Sequence, residues 1–154
     1  MLLANGLRAA IFPTMFILIA HLVSTAMMAG LIWFVQVVHY PLMRAVMTSE
    51  FPMYSQNHVR LTGYVVAPLM LIELATAVWL IFITPSETPI WLWLINLATI
   101  LFLWLSTFLI QVPIHNKLVQ GRDEAAIDKL VRTNWIRTIL WTSRVVFLCF
   151  VVFT

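Results

Sequence analysis

The 154-residue chain is 62% hydrophobic and only 10% charged, with nine lysines and arginines against six acids and a formal net charge of +3. Soluble domains carry about a quarter charged residues, so this composition excludes a water-soluble globular domain and sets the surplus apolar surface against lipid. The small positive charge fits a membrane topology facing anionic headgroups and leaves no nucleic-acid footprint, and the single cysteine, Cys149, excludes an internal disulfide or a Cys-based zinc site.

A first apolar run covers about 9–38. Arg8 precedes it and Ala26 to Ala29 imitates a signal-cleavage site, but the run continues to Val38. That is too long for a signal-peptide core and long enough to cross a bilayer, so a retained helix is expected. It carries Gln36, closes on His39, and has Pro41 as its predicted stop. Thr48-Ser49-Glu50, followed by Phe51 and Tyr54, reads as a capped helix start running into a second span over 59–83, which His58 opens. Pro68 frees the carbonyl of Tyr64, and Gly63 permits close approach, so space is expected beside this helix. Glu73 is the only acid inside any span.

A polar connector at 84–89, bracketed by Trp79, Trp91 and Trp93 as an interfacial aromatic belt would be, leads to a third span over 90–113. That span carries Asn96, Thr99 and Gln111, and His115 and Asn116 lie at its end. After Gly121, the residues Asp123, Glu124, Ile127, Leu130 and Val131 form an amphipathic lead-in to a fourth span over 134–153. One face of this last span presents Asn134, Arg137, Trp141 and Arg144. The apolar runs are continuous and do not alternate, so they read as helices and not as barrel strands. The expected fold is all-α: a single-domain, integral membrane four-helix transmembrane bundle.

Basic residues set the orientation. Arg44, Arg60, Lys117, Arg122, Lys129, Arg132 and Arg137 flank the first and third connections, whereas Arg8 stands alone on the other side and the second connection holds Glu87 without a cation. The positive-inside rule then predicts a plasma (inner) membrane protein with both termini outside and the histidine end at the cytoplasm. A weak internal repeat runs along the chain. Gln36 to Leu42 resembles Gln111 to Leu118, and Asn57 to Thr62 resembles Asn134 to Thr138, at offsets of 75 to 77 residues. Either two parallel helical hairpins are repeated, with His39 and His115 equivalent across a central axis, or two helix ends share a narrow alphabet by chance.

In an antiparallel bundle, His39, His58 and His115 come to one level near one face of the membrane. Ionisable groups at such depth are functional-site candidates. Three imidazoles with an open position suit copper, iron or zinc, with Gln36 and Gln111 fixing ring tautomers. Alternatively the rings hydrogen-bond an organic ligand, or neighbouring helices. Haem held between His39 and His115 is the weaker option, because His21 offers no second histidine pair. Arg144 lies seven residues beyond Arg137, about 10 Å deeper, and must face the bundle interior. It either pairs structurally with Glu73 or holds an anionic or phenolate oxygen while Glu73 moves a proton. His21 is a further candidate partner for Glu73, with Asn96 and Thr99 near its level.

Pro113-Ile114-His115-Asn116-Lys117-Leu118 and Asn134-Trp135-Ile136-Arg137-Thr138, set in a chain of this size with four spans, resemble the anthrone-oxygenase-like family of small four-helix membrane proteins. The resemblance implies oxidation of a polycyclic phenolic or similar lipophilic substrate, with Asn116, Trp135 and Arg137 as the carried-over positions. The expectation is a membrane-embedded oxidoreductase or oxygenase with a His-lined metal or cofactor site. Arg137, Arg144, Glu73 and Asn134 would serve catalysis; Gln36, Gln111, Asn116 and Trp135 would contact a cofactor or ligand. Membrane lipids, a lipophilic small molecule and a second copy of the chain are the partners foreseen. The alternatives are a non-enzymatic assembly or transport subunit and a haem-binding membrane protein.

Overall fold

A computed structural model of the chain describes residues 2–83 and 88–153, the side chains of 2–13 excepted. The predicted roles of Arg8 and Glu87 in orientation lie outside what is described. Four helical rods, Thr14–Ala45, Phe51–Phe82, Ile90–Gln120 and Glu124–Phe153, are long and apolar enough to cross a membrane. Each rod exceeds the span read from hydropathy because its charged or amphipathic approach is helical too. A rod of about 30 residues is about 45 Å long against a hydrocarbon core of about 30 Å, so every rod has length to spare for the interface.

The rods are built from α1 (Leu2–Phe34), a π-helical turn (Val35–His39), α2 (Tyr40–Leu42) and a 3₁₀ turn (Met43–Ala45), then α3 (Phe51–Phe82). The second half repeats the order: α4 (Ile90–Ser106), a π turn (Thr107–Gln111), α5 (Val112–Gln120) and α6 (Glu124–Phe153). Pro41 was expected to stop the first helix, and it does not. Lacking an N–H, it cannot bond the preceding turn, and the chain widens: the N–H of Tyr40 reaches Val35 O. The same solution precedes Pro113, where the N–H of Val112 reaches Thr107 O. Each π turn ends two residues before its proline, so the two hairpins share a backbone device as well as a sequence likeness. Pro68 sits within an uninterrupted α3.

α1 packs against α3 and α6, while α4 and α5 also pack between α3 and α6. The first and third rods, and the second and fourth, therefore face each other along the diagonals of a square. Three apolar layers fill the axis: Phe51, Leu118, Ile127 and Leu130 at the charged end, Met28, Ile32, Leu103 and Trp141 in the middle, and Leu18, Leu80, Trp93 and Leu148 at the far end. Large apolar side chains such as Phe16, Leu61, Leu109 and Val146 point outward, as a lipid-facing surface requires. Lipid is as apolar as leucine, so close packing and polar contacts, not transfer from water, hold the rods together.

At the charged end the two connections are tied to each other. Arg44 pairs with Glu124 and Asp128, and Arg122 donates to Val46 O at 2.8 Å. Asp123 starts α6: its Oδ1 accepts the Ala126 N–H at 2.9 Å, and Lys117 pairs with the same carboxylate. The hydrogen bond from Lys117, followed by that from the Ala126 amide, holds the Asp123 carboxyl below the ordinary aspartate range. A depressed folded-state pKa contributes stability above the unfolded value that disappears as pH falls through the folded one. Asp123→Ala should therefore lower the thermal midpoint in detergent at neutral pH, and the gap to the parent should close in acid below the ordinary aspartate range.

Candidate functional site

The three histidines meet. His58 is the middle ring, 4.3 Å from His39 in a stacked arrangement and 5.1 Å from His115 in a tilted one, centroid to centroid. They arrive from three rods: the π turn of the first, the opening of α3, and α5. Two tyrosines close the cluster. The Tyr40 hydroxyl lies 3.1 Å from His115 Nε2, and the Tyr54 hydroxyl 3.4 Å from His39 Nε2. Thr62 Oγ1 lies 3.1 Å from His58 Nδ1, one turn along the same helix.

One nitrogen of each imidazole faces a hydroxyl group. Among the described residues no group of three His, Cys, Asp or Glu side chains is placed to hold a metal ion. The His58 ring lies between His39 and His115, the pair named for haem, within 4.3 and 5.1 Å of them.

Arg137 sits under this cluster. It is 5% exposed, it lines one cavity together with Tyr40, and its Cζ lies 5.4 Å from the Trp141 ring centroid. Among the described residues no carboxylate pairs with Arg137, and its Nε has no hydrogen-bond partner.

A cavity of about 160 Å³ opens beside it, lined by Tyr40, His58, Gln111, His115, Asn116 and Arg137 and walled by Ile32, Val35, Val59, Val66 and Val112. Three polar atoms buried without a partner belong to residues of this lining: Arg137 Nε, His115 Nδ1 and Gln111 Oε1. Buried polar groups are almost always satisfied, so three left open on residues of one cavity stand out. Gln111 is held by its amide nitrogen, which donates to Thr133 Oγ1 at 3.1 Å.

A second polar cluster lies deeper, and it is complete. Arg144 Nη1 contacts Glu73 Oε1 at 2.6 Å across the diagonal between α3 and α6, and both side chains are buried. Arg144 Nε donates to Asn96 Oδ1 at 3.1 Å and Nη2 to Thr25 Oγ1 at 3.3 Å. His21 joins through Thr76 at 2.7 Å, Asn96 at 3.0 Å and Arg144 at 3.4 Å. It thus meets Glu73's partner instead of Glu73 itself. Thr99, the other residue expected near this level, bonds its own helix at Ile95 O.

Trp141 joins the two clusters. Its indole N–H donates to the Glu73 carboxylate at 3.0 and 3.2 Å while its face lies under Arg137. Among the described residues the buried interior accordingly holds two arginines and one carboxylate, and the unpaired cation is the one lining the cavity.

Other predicted site residues stand elsewhere. Asn134 Nδ2 donates to Gln36 Oε1 at 2.9 Å, and Gln36 Nε2 donates to Val131 O at 3.1 Å. This pair ties the first rod to the fourth and does not line the cavity. Trp135 is 42% exposed on the outer face, edge-on to Trp33 at 5.6 Å. Sequence reasoning gave no role to Tyr40 or Tyr54. Tyr40 follows His39 directly, and on a regular helix the two would point about 100° apart, yet both reach one cluster, with ring centroids 6.1 Å apart. No protein-family model, curated protein or solved structure matches the chain.

Proposed function

We propose that the chain is a membrane-embedded oxidoreductase or oxygenase that binds a lipophilic, acidic small molecule as its oxyanion. One observation carries this reading: Arg137 is a buried cation paired with no carboxylate among the described residues, in the lining of an apolar-walled cavity that also presents His58, His115 and Tyr40. Arg137, with the Tyr40 hydroxyl beside it, is placed to stabilise negative charge developing on a phenolic or enolic oxygen. His58 or His115 accepts the proton. The segments that resemble anthrone-oxygenase-like proteins support the same site, since His115, Asn116 and Arg137 all line the cavity.

For an anthrone-type substrate the reaction balances with dioxygen as oxidant. A ring CH₂ loses both hydrogens, one oxygen atom becomes the new carbonyl and the other leaves as water. Loss of the first proton gives the electron-rich anion that reduces dioxygen, and the chain's part is to take that proton and hold the anion. The cytoplasmic placement of the site belongs to this proposal and rests on the distribution of basic residues.

A non-enzymatic assembly or transport subunit is the competing reading, favoured by polar pairs such as Gln36–Asn134 that only join rods. Oxygen uptake by purified protein with anthrone as probe separates them. Turnover above the protein-free rate, reduced about 100-fold or more in His115→Ala, is expected from the usual contribution of a general base. Uptake at the background rate, or unaffected by both His58→Ala and His115→Ala, defeats the enzymatic reading. Stoichiometric copper, iron or zinc in the same preparation would reinstate a metal.

A further inference from the structure

The cavity is not closed to the side. Its lining runs from buried Tyr40 and Arg137 outward to Val59, Gly63, Val112 and Asn116, all of which are exposed. Val59 and Gly63 belong to α3, and Val112 and Asn116 to α5, so the opening is a slot between the second and third rods. Leu61, Tyr64 and Leu109 on the same two rods are exposed apolar or aromatic side chains as well. Along α3 the lining extends from His58 to Val66, about 12 Å at 1.5 Å per residue. Gly63 leaves the mouth clear: a Cβ built there meets no atom within 4 Å.

Size decides what fits. A cavity of about 150 Å³ holds one benzene ring, and this one is about 160 Å³. A lipophilic molecule much larger than one ring must therefore leave part of itself in the slot or beyond it. Its polar end has one favourable direction, inward, toward the unpaired cation; its apolar remainder has lipid-like surroundings only outward.

Resting on the proposed oxyanion site, we infer that the ligand is an amphiphilic phenol-type molecule taken sideways from the bilayer. One acidic ring is enclosed against Arg137 and Tyr40, while an apolar remainder passes between α3 and α5 at Gly63 into the acyl chains. Gly63 is then a specificity-determining residue, because its missing side chain is the doorway for the tail.

The test uses the intact protein in nanodiscs with two probes, para-nitrophenol and an ortho-dodecyl para-nitrophenol, whose phenolates absorb visibly. Gly63→Trp fills the slot, and Val59→Trp narrows the same mouth from the neighbouring turn should the first variant fail to fold. Overpacking a slot that the tail must share should weaken the dodecyl probe about tenfold or more and leave para-nitrophenol binding nearly unchanged. Unchanged dodecyl-probe affinity in the folded variants overturns the lateral slot, as does equal weakening of both probes. Arg137→Met measured alongside separates the two levels. If it abolishes binding while the tryptophan variants do not discriminate, the slot is wrong and the oxyanion site stands. If it changes neither probe, the oxyanion site itself is wrong.

Discussion

Arg144→Met should destabilise the folded bundle by about 3–5 kcal/mol, the cost of leaving a buried carboxylate without its partner. The substitution removes the 2.6 Å contact to Glu73 and the donors to Asn96 and Thr25. Glu73 would retain the indole N–H of Trp141 as a neutral donor, which cannot replace a cation. The reciprocal change Glu73→Met strands Arg144 in the same way and should cost a comparable amount. Replacing both together removes both charges, and apolar residues of similar volume in place of a buried ion pair are often neutral or stabilising. Reversible unfolding in mixed micelles checks the set: two damaging single variants and a double variant much closer to the parent. A double variant as damaged as the singles would show that the surrounding hydrogen bonds, not the charge pair, hold this layer.

Arg137→Met should behave in the opposite sense, although the residue is also an arginine on the same helix face. With no carboxylate to strand, its removal relieves an uncompensated buried cation. It gives up a cation–π contact with Trp141 that contributes about 0.5–2 kcal/mol. Ligand-free stability should be unchanged or raised. Binding should move the other way: truncating one partner of a buried, hydrogen-bonded charge pair at a binding interface costs about 2–5 kcal/mol. Arg137→Lys keeps the charge but loses the planar fork and the stacking on Trp141, so it should recover only part of the affinity. The two arginines are thus distinguished by experiment: one maintains the fold, and the other tolerates loss in the fold but not in binding.

Much of this arrangement was legible in the sequence. Continuous apolar runs separated by polar breaks define four rods, and an antiparallel order sends His39, His58 and His115 to one end without knowledge of packing. An acid and a cation buried in lipid have strong reason to meet, which is why Glu73 and Arg144 could be matched from different rods. The inward stripe on the fourth span also followed from periodicity, and Asn134, Arg137, Trp141 and Arg144 are all buried.

What escaped depends on rotation about helix axes and on ring orientation. Pro41 reads as a stop, yet the rod passes it after a π turn, and Tyr40 is buried. Gln36 and Asn134 looked like free ligand contacts because the sequence does not say that they face each other. Spacing brought three imidazoles together but carried no information on whether their lone pairs would converge or their faces would stack. Trp135 belongs to the segment that carries the family resemblance and still points outward, one position away from the inward stripe.

The central claim is that Arg137 awaits an anionic oxygen, and spectrophotometric titration of a bound nitrophenol probe tests it most directly. Beside a fixed cation the phenolate form is favoured, so the apparent pKa of the bound probe in the parent protein should fall by about one to three units. In Arg137→Met that lowering should disappear, with the probe bound weakly and as the neutral phenol. A probe that titrates in the parent protein as it does in lipid alone, or identically in parent and Arg137→Met, would contradict the account.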